Sequence, residues 1–285
     1  DRLAYWCSEK DNGQYDAINK GFSHTNGDIL GWLNSSDVYL PWTVPTVLEI
    51  FERFPEIEWI TTLQKLCINE DGTYRSLQKV AGFSANAFAQ GLHGSSHSTN
   101  FIQQEACFWR RSLWEKAGGK IAPDFGYAGD FHLWSRFFEF APLTGVAGPL
   151  AAVRFHGVQK SRADRYMQEV DAVLERMRAR TEEPPHFRTL QTLGLRHNLT
   201  EEDADVGDAR GDWRLLVNPN DDAIFKERND EDLLGEKEAV IAELAQACED
   251  RLRLIERLRT QTNLPHQLRA SFRRWVRTAT FGLIK

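Results

Sequence analysis

Two polar stretches in the first half of the chain contain the side chains best suited to chemistry. In GWLNSSDVYLP, residues 31–41, the polar turn 34–37 follows an apolar run of strand length and contains one carboxylate, Asp37. Mg²⁺ and Mn²⁺ need only one or two protein carboxylates when substrate phosphates supply the other ligands, so Asp37 is a candidate metal ligand. The alternative interpretation is an Asx-type turn between a strand and a helix.

The second stretch is DFGYAGDFHLWSRFFEF, residues 124–140, in which Asp130 follows a glycine and begins an aromatic helix. The spacing of Leu133, Trp134 and Phe137 places them on one face of that helix. A carboxylate beside bulky apolar side chains loses water, and this desolvation raises its pKa toward the range of a general base. Helix capping without catalysis is the alternative.

A third stretch, SEKDNGQYDAINKG at residues 8–21, predicts a turn at Asp11 followed by the start of a helix. Asp16, Asn19 and Lys20 place a carboxylate, an amide and a cation on this helix. The backbone N–H groups at a helix start attract anions. Capping accounts for acids near a helix start equally well.

A fourth stretch, VRFHGVQKSR at residues 153–162, is a β-prone run that ends at His156 and is followed by Lys160. Histidine is a frequent metal ligand, and lysine suits a pyrophosphate group. A structural histidine after a strand is the alternative. Taken alone, each of these four patterns is weak evidence for a functional site.

The elements that must position these residues alternate along the first 160 residues. Strand-like stretches (LAYWC, DILGWL, EWITTL, PLAAVRFH) alternate with helix-like ones (QYDAINKGFSHT, PWTVPTVLEIFERF, RRSLWEKAG, DFHLWSRFFEF), which predicts a layered α/β domain. Asp-Gly in NEDGTYR predicts a hairpin turn. Residues 84–103, rich in Ser, Gly, His and Asn, predict a long loop, and long loops in compact domains are usually functional or mobile.

The bulk composition narrows the class of protein. The 285 residues are 41% hydrophobic and 11% aromatic, which is sufficient for a folded core, and the formal net charge of −6 argues against nucleic-acid binding. The four cysteines are widely dispersed, which predicts buried free thiols in a reducing cytoplasm. The sequence has no apolar run of membrane-spanning length. It begins at Asp1 in a strand-like stretch, which predicts that a segment precedes it.

The remainder of the chain has a different character. We predict a domain at 1–165, a helix and an acidic linker at 166–235, a coiled-coil helix at 236–262 and a basic amphipathic helix at 264–285. The coiled coil would form a homo-oligomer, with packing onto the domain as the alternative. The basic helix suits an anionic membrane surface, and docking on a partner subunit is the alternative.

Taken in order, the polar stretches resemble one family. The matching blocks are SEKDNGQYDAINKG, GDILGWLNSSDVYLP, QQEACFWRRSLWEKAGG, YAGDFHLWSRF and VRFHGVQKS, all within residues 1–162. Together they resemble family 2 glycosyltransferases, which are nucleotide-sugar-dependent, inverting enzymes of the GT-A fold. The resemblance therefore implies a GT-A-like layered α/β domain whose first strand–helix units would precede Asp1.

The resemblance also implies residue roles. Turn 34–37 takes the place of the DxD-type motif, with Asn34 and Ser36 at the sugar-nucleotide diphosphate and Asp37 on a divalent cation, Mn²⁺ or Mg²⁺. Asp130 matches the acid that deprotonates the acceptor hydroxyl. The other implied contacts are His156 for metal, Lys160 for diphosphate, Gln104, Glu105 and Arg110 for the donor or acceptor sugar, and Asp11, Asp16, Asn19 and Lys20 for the nucleotide.

One residue departs from the family pattern in the turn itself. Ser36 stands where family members commonly have an acid, which puts metal dependence in doubt. The resulting hypothesis is transfer of a sugar, with inversion, to a hydroxyl of a glycan or lipid-linked saccharide. This transfer would serve bacterial surface polysaccharide or O-antigen synthesis, in the cytoplasm or peripherally at the inner face of the membrane. The alternatives are a catalytically silent scaffold in a membrane-associated assembly complex and a nucleotidyltransferase, which would release pyrophosphate.

Overall fold

The structure is a computed structural model that describes residues 5–94, 100–156, 164–180, 182–195 and 213–221. Lys160, the predicted coiled coil at 236–262 and the predicted basic helix at 264–285 lie outside these residues. Within them, no helix is both long enough and apolar enough to cross a membrane.

The described residues form six α-helices, ten strands and a short 3₁₀ turn. The helices are α1 (Gln14–Ser23), α2 (Thr43–Arg53), α3 (Ala85–Ala89), α4 (Arg111–Lys116), α5 (Gly129–Phe137) and α6 (Asp164–Arg178), and the 3₁₀ turn is Gln104–Ala106. The strands are β1 (Ile29–Leu30), β2 (Val38–Tyr39), β3 (Trp59–Thr62), β4 (Gln64–Ile68), β5 (Tyr74–Lys79), β6 (Phe108–Arg110), β7 (Thr144–Val146), β8 (Ala151–Arg154), β9 (Leu190–Leu195) and β10 (Trp213–Asn218).

The strands form two mixed sheets. The larger sheet has the order β1-β6-β3-β7-β9-β10, and the smaller has the order β2-β8-β4-β5. β3 and β7, β7 and β9, and β4 and β8 pair in parallel, while the other pairs are antiparallel. This mixed α/β architecture is compatible with the predicted layered domain.

Helix α2 illustrates how the sequence determines an element next to the site. Val47, Ile50 and Phe51 are buried and recur at helical spacing, so they form one apolar face. Pro45 lies in the first turn, where a missing N–H removes no helical hydrogen bond. The Thr43 hydroxyl accepts a hydrogen bond from the N–H of Leu40 at 2.9 Å. These contacts fix the chain that leaves the turn 34–37.

An aromatic core lies beneath the start of α5. The Trp134 ring is 5.6 Å from the rings of Trp59 and Trp109 and 5.9 Å from that of Trp32. Trp59, Trp109 and Phe137 are completely buried. Because these large rings come from β3, β6 and α5, their packing holds α5 firmly against the larger sheet.

The segment after residue 164 joins this architecture. In α6, Tyr166, Val170, Val173, Leu174 and Met177 are buried at helical spacing, which confirms the predicted helix. The stretch WRLLVN, within the segment predicted as a linker, forms β10. Its partner β9 was not predicted, and the two strands extend the larger sheet. The segment predicted as helix and linker therefore contributes to the main sheet.

Two local predictions need correction. The stretch predicted as a long loop contains α3, whose start is capped by Ser84, since its hydroxyl oxygen accepts the N–H of Ala87 at 3.1 Å. Residues 5–7 of the first strand-like stretch have no regular structure.

The predicted hairpin at Asp71-Gly72 is confirmed, because β4 and β5 pair across it and Gly72 has a φ of 84°. Among the described cysteines, Cys67 and Cys107 are buried free thiols and Cys7 is exposed.

Candidate active site

A pocket of about 430 Å³ brings most of the predicted site residues together. Its walls come from the start of α1, the turn 34–37, the 3₁₀ turn, the first turn of α5, the end of β8 and the start of α6. This volume lies in the range of small-molecule sites. The predicted residues that line it are Asn34, Ser36, Asp37, Gln104, Glu105, Asp130 and His156.

Asn34 is the centre of a hydrogen-bond network at one wall. Its side-chain N–H₂ donates to Gln104 Oε1 at 2.8 Å and to Asp37 Oδ2 at 3.2 Å. Its Oδ1 accepts from Gln14 Nε2 at 3.0 Å. Gln104 in turn donates to the carbonyl of Trp32 at 2.7 Å. The turn 34–37 is therefore tied to both α1 and the 3₁₀ turn before any ligand binds.

Arg154, at the end of β8, holds the other side of this turn. Its backbone N–H donates to Asp37 Oδ1 at 3.0 Å, and its Nε donates to the carbonyl of Ser36 at 2.8 Å. Its guanidinium also donates to the carbonyls of Asn69 and Glu70 in the β4–β5 hairpin. The positive charge of Arg154 thus lies directly against the turn, where it can stabilise a bound anion.

Asp130 lies at the first turn of α5, half-buried in the pocket wall. Burial raises its pKa to about 6, while hydrogen bonds from the N–H of Phe131 at 2.9 Å and the hydroxyl of Tyr15 at 3.3 Å act in the opposite direction. A carboxylate with such a pKa is ionised at neutral pH and is still basic enough to take a proton from a hydroxyl during reaction.

Glu105 is the most deeply buried acid of the pocket, with 4% of its surface exposed. Its Oε1 has no hydrogen-bond partner within the part of the chain that the structure describes. Burial, reinforced by the negative charges of Asp37 and Asp130, raises its pKa to about 8. At pH 7 the carboxyl is therefore mainly neutral and can donate a hydrogen bond to a ligand.

The residues predicted to contact the nucleotide lie outside the pocket lining. Asp16 accepts the backbone N–H of Asn12 at 2.9 Å and pairs with Lys20 at 3.3 Å. Asn19 exchanges two hydrogen bonds with the backbone of Ile121, at 2.9 and 2.8 Å. Asp11 accepts the N–H of Gly13 at 2.9 Å, which begins α1. In the structure these side chains stabilise α1 and its attachment.

Arg110 is also separate from the pocket lining. Its guanidinium donates to the carbonyls of Ile57, Phe51 and Phe54 at 2.7–3.2 Å and lies over the ring of Phe51. These contacts join β6 to the C-terminal end of α2. These hydrogen bonds give Arg110 a structural role, and its contact with a sugar stays a prediction.

Few side chains in the pocket could coordinate a divalent cation. Within residues 5–221, in the ranges described, no group of three or more His, Cys, Asp and Glu side chains is placed to hold a metal ion. Asp37 and His156 line the same pocket. Both oxygens of Asp37 already accept hydrogen bonds from the protein. These residues fit a cation only where phosphate oxygens and water complete its coordination.

Comparison with known proteins supports a relationship to glycosyltransferases. No protein-family model matches the chain. Over 134 residues it is 35% identical to two uncharacterized glycosyltransferases of Mycobacterium tuberculosis, from strains CDC 1551 and H37Rv. The alignments cover 45% of this chain and 45% of each relative, so the matched part spans about half the length of these curated relatives.

Proposed function

We propose that this protein is an inverting, nucleotide-sugar-dependent glycosyltransferase with a GT-A-like fold. The observation that carries the proposal is the pocket itself, which is lined both by Asp130, whose pKa is raised, and by the turn 34–37 with Arg154. A base and an anion-binding wall in one pocket are what transfer from a sugar diphosphate requires. The similarity to glycosyltransferases and the order of the sequence blocks support the same conclusion.

In the proposed reaction the acceptor hydroxyl attacks the anomeric carbon of the donor sugar. Asp130 takes the hydroxyl proton as the new C–O bond forms. The bond from the anomeric carbon to the diphosphate oxygen breaks, and its electron pair leaves on the nucleoside diphosphate. Attack from the face opposite the leaving group inverts the anomeric configuration.

The wall formed by the turn 34–37 and Arg154 would hold the departing diphosphate. The guanidinium of Arg154 offsets part of the charge that develops there. Asp37 and His156 would hold a divalent cation, which when bound supplies further positive charge to the diphosphate. The neutral carboxyl of Glu105 and the amide of Gln104 would orient sugar hydroxyls.

The direct test is sugar transfer by the full-length protein against a panel of nucleotide sugars and hydroxyl acceptors, with and without Mn²⁺. We expect release of nucleoside diphosphate, and a loss of at least about 100-fold in kcat for Asp130→Asn, because the variant has no base. Asp124→Asn, in the same segment but exposed and paired with Arg176 at 3.7 Å, is the matched control and should retain activity.

Other outcomes of this test would contradict the proposal. Pyrophosphate release would instead indicate a nucleotidyltransferase. The absence of turnover with any nucleotide sugar would favour a catalytically silent scaffold. Retention of full activity by Asp130→Asn would exclude this aspartate as the base.

A further inference from the structure

The loop that leads to Asp130 is held from one side by α6. The carboxylate of Glu169 accepts hydrogen bonds from three successive backbone N–H groups, those of Gly126 at 3.1 Å, Tyr127 at 2.8 Å and Ala128 at 2.9 Å. Only 12% of the Glu169 side chain is exposed, and Arg165 lies 3.6 Å from it. Three charge-assisted hydrogen bonds on consecutive residues fix the path of the backbone just before α5.

The same loop is held from the other side by α1. The ring of Tyr15 is 7% exposed and packs so closely under Gly129 that a Cβ there would lie 2.6 Å from the ring. The Tyr15 hydroxyl lies 2.9 Å from the carbonyl oxygen of Tyr127 and 3.3 Å from Asp130 Oδ1. Since a phenol has a single proton, this hydroxyl donates to one of the two oxygens at a time.

The choice between these two acceptors depends on the state of Asp130. An ionised carboxylate is the stronger acceptor, so the hydroxyl favours Asp130 before proton transfer. A protonated carboxyl is a weaker acceptor, so the hydroxyl then favours the carbonyl of Tyr127. The Tyr15 hydroxyl can therefore change its hydrogen-bond acceptor when Asp130 is protonated, without any movement of the backbone.

We propose that Tyr15 and Glu169 are positioning residues that aim the carboxylate of Asp130 at the acceptor hydroxyl, Tyr15 through the side chain and Glu169 through the loop. The inference rests on the proposed function, because it takes Asp130 to be the base. Neither residue belongs to the set predicted from the sequence. Each acts from a different helix, so their effects can be separated.

The two residues affect the pKa of Asp130 in opposite directions. The hydrogen bond from Tyr15 lowers this pKa, and the negative charge of Glu169 raises it. Among the described residues, Tyr166 on α6 and Glu105 and Cys107 at the 3₁₀ turn also respond to the charge of Asp130. Variants at Tyr15 and Glu169 should therefore shift the acid limb of the pH profile in opposite directions.

The first test is the pH profile of kcat in the full-length protein. In Tyr15→Phe we expect kcat to fall roughly 10- to 100-fold, as for a slightly misaligned base, and the acid limb to move to higher pH. In Glu169→Gln the acid limb should move to lower pH, also with a lower kcat. Glu169→Asp keeps the charge but shortens the reach, so it should lower kcat and leave the limb in place.

The second test does not depend on activity. Amide hydrogen exchange at one or more of Gly126, Tyr127 and Ala128 should accelerate at least about tenfold in Glu169→Gln, because glutamine has one acceptor oxygen, without charge, where glutamate has two. Glu175→Gln, an exposed change on the same helix, and Tyr74→Phe, at a surface tyrosine, are the matched controls and should behave like the parent.

The outcomes separate the two proposals. Accelerated exchange in a protein without transfer activity would overturn the proposed function but retain the role of Glu169 in holding the loop. Unchanged exchange in Glu169→Gln, or equal and parallel pH profiles for Tyr15→Phe and the parent, would overturn the positioning role. If Glu169→Gln fails to fold, Glu169→Asp replaces it, and an unchanged kcat in that variant would overturn the positioning role of Glu169.

Discussion

Asp130 and Glu105 show how one pocket gives two carboxyl groups different roles. Burial raises the pKa of Asp130 to about 6 and that of Glu105 to about 8. At pH 7 the first is mainly ionised and can accept a proton, whereas the second is mainly protonated and can donate a hydrogen bond. Pairs of acids whose environments separate their pKa values in this way are typical of acid–base sites.

The burial of Glu105 predicts a pH-dependent stability. Because its pKa is raised from 4.5 to about 8 on folding, the folded protein binds this proton more tightly than the unfolded chain does. The stabilisation is fully present below pH 4.5 and is lost as the pH rises through 8. We expect Glu105→Gln to flatten this decline and to be more stable than the parent at pH 9, by on the order of 1–3 kcal/mol.

Urea unfolding at pH 5, 7 and 9 measures this effect. Glu115→Gln, on the exposed side of α4, is the control for a glutamate-to-glutamine change and should follow the parent at each pH. Parallel stability curves for Glu105→Gln and the parent would show that Glu105 is ionised in the folded protein.

For single residues, the sequence predicts which side chains share the candidate site better than it predicts the hydrogen bonds between them. Asp37 and Asp130 lie 93 positions apart, yet the order of the blocks placed both in one site, and both line the pocket. Arg154 and Tyr15 were not predicted. Their importance comes from contacts with residues 118 and 115 positions away, which no local pattern reveals.

Among the secondary-structure elements, the close approach of α1 to α5 determines the geometry around Asp130. The first residue of α5 is Gly129, and the Tyr15 ring of α1 occupies the space that a side chain would need. The two helices can therefore approach closely only because this position lacks a Cβ. The rings of Trp59 and Trp109, packed against Trp134, support α5 as well.

This approach predicts the effect of Gly129→Ala. The new methyl group would lie 2.6 Å from the Tyr15 ring, so the ring or the helix must move. We expect a destabilisation of about 1–3 kcal/mol by overpacking. We also expect a loss of transfer activity, because the Tyr15 hydroxyl would leave Asp130. Thermal unfolding and the transfer assay measure these two effects.

Gly21→Ala provides the control within α1. Nothing lies within 4 Å of a Cβ at Gly21. Alanine there should raise stability by up to about 1 kcal/mol, because it favours the helix. If Gly129→Ala behaved like Gly21→Ala, the contact between α1 and α5 would not be a tight one.

Elements with strong periodicity were predicted well, and short or long-range ones were not. The apolar faces of α2, α5 and α6 repeat at helical spacing, and these helices form where expected. β9 was missed because its residues, LQTLGL, show little alternation of apolar and polar residues. Its position follows from parallel pairing with β7 and antiparallel pairing with β10. Such pairing depends on residues distant in the chain.

At the scale of the whole molecule, charge is distributed unevenly along the sequence. Residues 201–208 are acidic, whereas 264–285 carry four arginines and one lysine without an acid. The latter segment predicts binding to an anionic membrane surface, and 236–262 predicts a coiled coil. Both segments lie outside the described residues and stay predictions from sequence.

Two deletions test these predictions in the full-length protein. Removal of 264–285 should abolish co-sedimentation with vesicles that contain anionic lipid, because the cationic and apolar side chains would be lost together. Removal of 236–285 should in addition reduce the oligomer size measured by light scattering. Unchanged sedimentation would contradict the membrane role, and an unchanged mass would contradict the coiled coil. Neutral vesicles serve as the control.

The contacts of Glu169 and Asp221 show that the residues which support the candidate site continue well beyond the recognisable motifs. All the blocks that resemble glycosyltransferases end by residue 162, but the glutamate that anchors the loop before Asp130 comes later. Asp221, with 1% exposure, accepts hydrogen bonds from Ser84 and Asn86 near α3. A chimera joined where the recognisable motifs end would carry the predicted base without its support. The residues that such a chimera needs therefore extend to Asp221, about 60 residues beyond the last motif.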